Sequence, residues 1–295
     1  MSAVEVDHIS KSFGETQAVQ NISFIVSRGE MFGLLGPNGA GKTTTLRLIL
    51  DIYRPDRGQI SVLGGAIDEN KKNRIGYLPE ERGLYQDLSL ERVLLYLATL
   101  KGVPKDQARQ RLSEYLDFFE LTPYKKKKVK EMSKGMQQKA QIIATLLHKP
   151  DLIIVDEPFS ALDPVNTQMV KTLLVDLNHQ GATIIMSTHM MQQIEELCSR
   201  IALINRGQVV LYGDLVDIQR QHRGHAVLVR TPGALPEIDG VVADTMHNGA
   251  HRLELADHIT PQQVLSQLVG SGVEVEHFEI ALPTLEEIFV RTVKG

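Results

Sequence analysis

Gly36-Pro37-Asn38-Gly39-Ala40-Gly41-Lys42-Thr43 reads G-x-x-x-x-G-K-[ST], and each part of that pattern has a use toward a bound polyphosphate. Gly36, Gly39 and Gly41 let the backbone curl so that successive N–H groups point inward at phosphate oxygens. The N-terminus of a following helix adds its positive end. Lys42 neutralises the β- and γ-phosphates, and the Thr43 hydroxyl reaches a Mg2+ ion. Asn38 and Thr44 fall in the same nucleotide-binding set. The surroundings suit this chemistry. Met31 to Leu35 is an apolar run fit for a buried strand, and Thr44 to Asp51, with Leu46, Leu48, Ile49 and Leu50, suits a packed helix. An ordinary glycine-rich turn is the alternative, and the flanking strand and helix argue against it.

Leu152-Ile153-Ile154-Val155-Asp156-Glu157 offers a second chemistry: an apolar strand ending in two carboxylates. Strand C-termini in open parallel sheets face the ligand crevice. Asp156 would hold Mg2+, directly or through water. Glu157 could polarise an attacking water. Taken alone, the pair could also simply cap a strand.

The chain has 295 residues, enough for one large domain or two. Hydrophobic residues make up 42% and charged ones 23%, the balance of ordinary globular material. The net charge of -4 gives no argument for nucleic acid as a partner. Met1 to Asp7 carries acidic residues and no apolar core, unlike a secretory signal. The densest apolar stretch, Val93 to Leu100, is too short to span a membrane. One cysteine, Cys198, leaves no intrachain disulfide and fits a reducing compartment. A cytosolic protein is expected, with any link to a membrane made through a partner.

Elsewhere strands alternate with helices. Val4 to Ser10, Ile22 to Val26, Gln59 to Leu63, Ile75 to Leu78, Leu152 to Val155, Thr183 to Met186, Ile201 to Ile204 and Gln208 to Leu211 read as strands. Helices are expected over Leu88 to Leu100, Gln107 to Phe119, Met136 to Leu147, Gln168 to His179 and Met191 to Cys198. That alternation means an α/β domain. After the polar stretch Gln219 to Gly224, strand-like segments at Ala226 to Arg230, Val241 to Met246, Arg252 to Ala256 and Val273 to Ile280 join helices at Pro261 to Leu268 and Leu285 to Val293. This is a small α+β module. The expected domains are 1–218, with a helical insertion at about 86–150, and 219–295.

Met132-Ser133-Lys134-Gly135-Met136-Gln137-Gln138-Lys139 precedes the carboxylate strand. Here the chain resembles the ATP-binding subunits of ABC transporters. The stretch looks like a variant of their Leu-Ser-Gly-Gly-Gln signature. Ser133 and Gly135 match, while Met132, Lys134 and Met136 replace the leucine, the first glycine and the glutamine. The resemblance implies that Ser133 and Gly135 meet the γ-phosphate held by an opposite subunit. A plain helix N-cap at Ser133 is compatible with that role. Lys134 adds a positive charge there or points into solvent.

More matches follow in the family's order. Ser160-Ala161-Leu162-Asp163 resembles the loop that crosses the dimer interface, and His189 resembles the switch histidine on the γ-phosphate. Phe13 resembles the aromatic that stacks on adenine; as a lone Phe, core packing reads equally well. Tyr77-Leu78-Pro79-Glu80 resembles the Q-loop, with Glu80 where the family usually has glutamine. A carboxylate is the better Mg2+ ligand, so Glu80 joins Thr43 and Asp156 as a metal candidate. The resemblance also implies that Glu80 senses the membrane partner. Tyr77 to Tyr85, the Ser133 variant and the ending Thr284-Leu285-Glu286-Glu287-Ile288-Phe289 look most like bacterial exporter-type subunits with a C-terminal accessory domain.

The resemblance implies an ABC ATPase domain of the P-loop type with a helical insertion. Catalysis falls to Glu157, His189 and Lys42, with ATP and Mg2+ bound. The partners implied are an integral membrane permease and a second copy or paralogue across the ATP sites, at the inner face of the cell membrane. A soluble ABC ATPase of a non-transport complex is the alternative, but neither long coiled-coil insertions nor a second ATP domain is in the chain. A non-catalytic regulator would be expected to have a damaged carboxylate pair. Lys125 to Lys130, five lysines in six residues, reads better as a solvated loop than as a lipid or acidic-partner contact. The pairs His222/His225 and His247/His251 would suit a metal only on a helix, and both lie in expected loop or strand.

Overall fold

The computed structural model describes residues 1–81, 83–222, 226–247, 249–256 and 258–294. Contacts divide the chain into two units, Met1–Leu215 and Val216–Gly295. His225, one of the histidines weighed for metal binding, lies outside the described residues.

In the first unit, β1 (Ser2–Phe13) and β2 (Thr16–Ser27) form an antiparallel hairpin. β3 (Met31–Leu35) leads through the glycine loop to α1 (Lys42–Ile49), and β4 (Arg57–Val62) returns to pair with β1. A single turn, α2 (Glu69–Lys72), precedes β5 (Ile75–Leu78). Three helices follow: α3 (Leu90–Leu100), α4 (Lys105–Phe118) and α5 (Lys134–Leu146). The chain then alternates β6 (Leu152–Asp156), α6 (Pro164–His179), β7 (Thr183–Thr188) and α7 (Met191–Leu197). It ends in the hairpin β8 (Arg200–Asn205) and β9 (Gln208–Asp214).

Six strands form one sheet in the order β5-β6-β7-β3-β8-β9, parallel except for β9. Its central strands are buried along their whole length, which is why they read as unbroken apolar runs. The order matters for function. β7 lies between β3 and β6, with Leu35 opposite Thr188 and Asp156 opposite Ser187. The ends of three sequence-distant segments therefore meet. The three-stranded sheet β2-β1-β4 packs with this sheet and α1 over one core, where Phe24 stacks on Phe32 at 5.4 Å.

Helix starts depart from the apolar periodicity where caps decide. α5 starts at Lys134 rather than Met136, because the Ser133 hydroxyl accepts the Met136 N–H at 3.2 Å. α6 starts at Pro164 rather than Gln168, because Asp163 accepts the Asn166 N–H at 2.9 Å and proline suits the first helical position. The lysine run serves α3 through its backbone. The carbonyls of Lys127 and Lys125 accept the N–H groups of Leu90 and Glu91, each at 2.9 Å, at the start of that helix. Lys130 pairs with Asp87 at 2.7 Å.

α8 (Leu215–Gln221) occupies part of the expected polar stretch. Beyond it, β10 (Ala226–Arg230), β11 (Val241–His247), β12 (Ala250–Leu255) and β13 (His277–Ile280) form an antiparallel sheet in the order β11-β12-β10-β13. α9 (Pro261–Gly270) packs Val264 and Leu268 against Val227, Val229 and Leu253. β13 is shorter than the expected Val273 to Ile280, since β10 offers partners only to His277 through Ile280. The ending Thr284 to Phe289 opens α10 (Leu285–Lys294). The Thr284 N–H donates to Glu287 at 3.1 Å and the Glu287 N–H donates to the Thr284 hydroxyl at 3.2 Å, a reciprocal cap. Glu287 also holds Arg252 at 2.7 Å. No helix among the described residues is long and apolar enough to cross a membrane.

Candidate active site

The loop after β3 turns on glycines where a side chain would meet neighbouring backbone and a strained φ. Gly36 has φ 146° and Gly41 φ 108°. A Cβ at Gly36 would lie 2.1 Å from the Ile204 carbonyl oxygen, and one at Gly41 2.4 Å from that of Ala18. The β8–β9 turn braces the loop from outside, with the Gly207 N–H donating to the Ala40 carbonyl at 2.8 Å. Lys42 is buried and folds back over the loop, donating to the carbonyls of Gly36 at 2.7 Å and Pro37 at 3.2 Å. Burial pulls its ammonium below the ordinary lysine range, and the carboxylates of Glu157, Asp156 and Glu80 oppose that pull.

Asp156 ends β6 at 1% exposure. The Thr43 hydroxyl donates to one of its oxygens at 2.8 Å, and the Ser187 hydroxyl to the other. A hydroxyl and a buried carboxylate at this separation are hard oxygen donors, and they fit a Mg2+ ion. Glu157 follows with φ 51°, a left-handed conformation rare for a non-glycine residue. Its N–H donates to the Ser187 carbonyl at 2.9 Å. Its side chain is held from β7: Oε1 accepts the His189 N–H at 2.9 Å and lies 2.7 Å from His189 Nδ1, while Oε2 accepts the Thr188 hydroxyl at 3.0 Å.

These groups surround a cavity of about 460 Å³, within the ordinary range for ligand sites. Asn38, Gly39, Gly41, Lys42, Thr43 and Thr44 line it from the loop and the start of α1, and Glu80, Asp156 and Glu157 line it from the end of β6 and the segments that follow β5 and β6. Gly36 serves through its carbonyl on Lys42. His189 reaches the site through Glu157. Phe13 lies outside this lining. It is exposed, with its ring set edgewise to Tyr53 at 5.2 Å. Ser133, Gly135 and Asp163 do not line the cavity either. Gly135 lies close to the other end of that group, since a Cβ there would sit 3.2 Å from the Ala161 carbonyl oxygen.

Two contributors are invisible in the sequence motifs. Ser187 and Thr188 follow the apolar run Thr183 to Met186 and look like the polar end of a strand. Only the pairing of β6 with β7 brings them onto the carboxylates.

A parallel sheet with a glycine loop after one strand and a carboxylate pair after a near neighbour defines a phosphate-loop nucleoside triphosphatase. Known proteins narrow this. The ABC transporter family matches residues 19–160. The C-terminal domain of DrrA1-3-like ATP-binding proteins matches residues 213–293. The uncharacterized ABC transporter ATP-binding protein YhaQ of Bacillus subtilis (strain 168) is 40% identical over 291 residues, covering 98% of this chain and 97% of that protein. The linearmycin resistance ATP-binding protein LnrL of the same organism is 31% identical over 301 residues, 97% of each chain. A solved ATP-binding subunit of an ABC transporter superposes with a TM-score of 0.71 at 34% identity, covering 75% of this chain and 93% of that one.

The chain belongs to the ABC transporter ATP-binding proteins. It binds and hydrolyses ATP as the motor subunit of a transporter. Cassettes of this family dimerise and work with a membrane permease.

Proposed function

We propose that each ATP is held between two chains and hydrolysed by Glu157. The supporting observation is the division of the expected site. Lys42, Thr43, Asp156 and Glu157 gather on one cavity, while Ser133, Gly135 and Asp163 stay off it. In this reading one chain presents the glycine loop, and a second presents the capped N-terminus of α5 to the γ-phosphate. Adenine stacks on Phe13, whose exposed ring is braced by Tyr53.

Thr43 and Asp156 would hold Mg2+, and Glu80, which lines the same cavity, is a further candidate ligand. When bound, the ion would supply positive charge that offsets the negative charge of the phosphates. Lys42 adds a cation on the same phosphates. Glu157 takes a proton from water as its oxygen attacks the γ-phosphorus. The bond from that phosphorus to the β-phosphate bridging oxygen breaks, and ADP and phosphate leave. His189 orients the Glu157 carboxylate and senses the γ-phosphate.

Loss of that phosphate opens the pair, and the motion drives a permease at the inner face of the membrane. Tyr85, between Glu80 and α3, and Tyr96, on α3, are exposed at 54% and 46% with rings 6.0 Å apart and offer the permease an aromatic contact. Transport runs outward; this reading is supported by a relative named for export, the Nod factor export ATP-binding protein I of Paraburkholderia xenovorans (strain LB400), 37% identical over 215 residues. The small C-terminal unit regulates or pairs the motor.

Mixing two defective chains tests the shared site. Lys42→Ala destroys the loop half and Ser133→Arg the opposing half. Each variant alone should be inactive, and the mixture should regain hydrolysis through the one composite site left intact. A silent mixture of folded variants, or full activity in Ser133→Arg alone, would overturn the two-chain site.

A further inference from the structure

We propose that Thr188 is a positioning residue for hydrolysis, directing the open lone pair of Glu157 toward the attacking water. The inference rests on the reading of Glu157 as the general base. A carboxylate has about four acceptor directions, two on each oxygen. On Glu157, Oε1 faces two donors, the His189 N–H and the His189 ring at Nδ1, which must carry its hydrogen to face a carboxylate. Oε2 receives one donor, the Thr188 hydroxyl at 3.0 Å. The free acceptor direction is therefore on Oε2, beside the Thr188 bond, and that bond decides where it points.

Thr188 is built for this role. Its hydroxyl accepts the Met190 N–H at 3.1 Å, which turns its single hydrogen toward Glu157. A donor chain runs from Met190 through Thr188 to Glu157, each bond polarising the next. The residue is fully buried and ends β7, where its backbone is in register with Leu35, the residue before the glycine loop. A β-branched side chain has few rotamers, so the hydroxyl is fixed as firmly as the sheet. The phosphate loop and the base are thus tied to neighbouring strand ends, with Thr188 setting the angle between water and phosphorus. Misdirection by an ångström is enough to lose a large part of such catalysis.

A purely structural Thr188 and a positioning Thr188 order two variants oppositely. Thr188→Val keeps the shape and removes the hydroxyl, whereas Thr188→Ser keeps the hydroxyl and removes a methyl. We expect Val to lower kcat by about tenfold or more, a share of the usual general-base contribution. Affinity for a non-hydrolysable ATP analogue should stay within about twofold, and Ser should restore most of kcat. Thermal melting of both variants with the analogue checks their folding. If Val turns over at the parent rate while Glu157→Gln is inactive, Thr188 is not a positioning residue although the base is right. If kcat and analogue affinity fall together, or Ser is the slower variant, the residue only packs the strand end. If Glu157→Gln also keeps the parent rate, the base assignment itself fails.

Discussion

Gln138, in the helix that begins after Ser133, donates its side-chain amide to the carbonyl of Pro158 at 3.0 Å, the residue next to Glu157. One turn on, Gln141 donates to the carbonyls of Pro79 at 3.2 Å and Glu81 at 3.0 Å, on both sides of Glu80. Both glutamines are buried. A single helix therefore grips the loops that carry Glu80 and Glu157, two of the acidic residues lining the cavity. Breaking the grip at Gln141 strands two loop carbonyls without weakening the phosphate loop itself. Gln141→Leu should keep ATP affinity within about threefold while the stimulation of hydrolysis by the permease falls, the unpaired groups costing about 1–3 kcal/mol of loop order. Basal and permease-stimulated rates measured side by side decide it. An equal loss in both would show that Gln141 only stabilises the fold.

The glycine loop makes a sharper demand. At Gly41 the positive φ and the Ala18 carbonyl 2.4 Å from any Cβ act together. Gly41→Ala must displace either the loop or β2. We expect ATP affinity to fall by at least tenfold with the chain still folded, read by fluorescent-nucleotide titration beside circular dichroism. Parent-like binding would mean the loop has room that its geometry denies.

Acid should weaken the fold through His148. Its Nε2 lies 3.0 Å from the Ile75 carbonyl, so that nitrogen carries the hydrogen, and Nδ1 is buried without a partner. Burial, reinforced by the nearby charges of Lys101 and Arg111, pushes the imidazole down to about 4 from 6.5. A depressed histidine stabilises the folded state above its unfolded value, and that contribution is lost as pH falls from about 6.5 toward 4. Between pH 7 and pH 5 the loss from this group is about 2 kcal/mol. Urea midpoints should drop over that interval in the parent and drop less in His148→Gln. Parallel slopes would remove His148 as the cause.

What the sequence reveals divides by whether the chemistry is contiguous. Gly36 to Thr43 and Asp156-Glu157 are legible because a few adjacent residues carry the chemistry, and apolar runs mark the strands that hold them. Ser187 and Thr188 are not legible. Their role comes from β7 lying beside β6, a fact of strand order that no local pattern carries. The starts of α5 and α6 are encoded in Ser133 and in Asp163-Pro164, but weighing apolar periodicity above caps delays both helices. Glu287, read as part of a family-like ending, caps α10 and binds Arg252, a pairing that needs β12 to be placed first. Lys125 to Lys128 show only their charge in the sequence, while the carbonyls of Lys125 and Lys127 close the start of α3.

The central claim is that Glu157, held by His189 and Thr188, supplies the base in a site completed by a second chain. Glu157→Gln keeps the shape of the side chain and removes its basicity. Turnover under saturating Mg-ATP, measured together with the molecular mass of the nucleotide-bound protein, tests both halves at once. The variant should bind ATP with parent affinity, lose about 10²–10⁴ in rate and accumulate as an ATP-bound dimer. Turnover at the parent rate, or a monomer that holds ATP without pairing, would contradict the account.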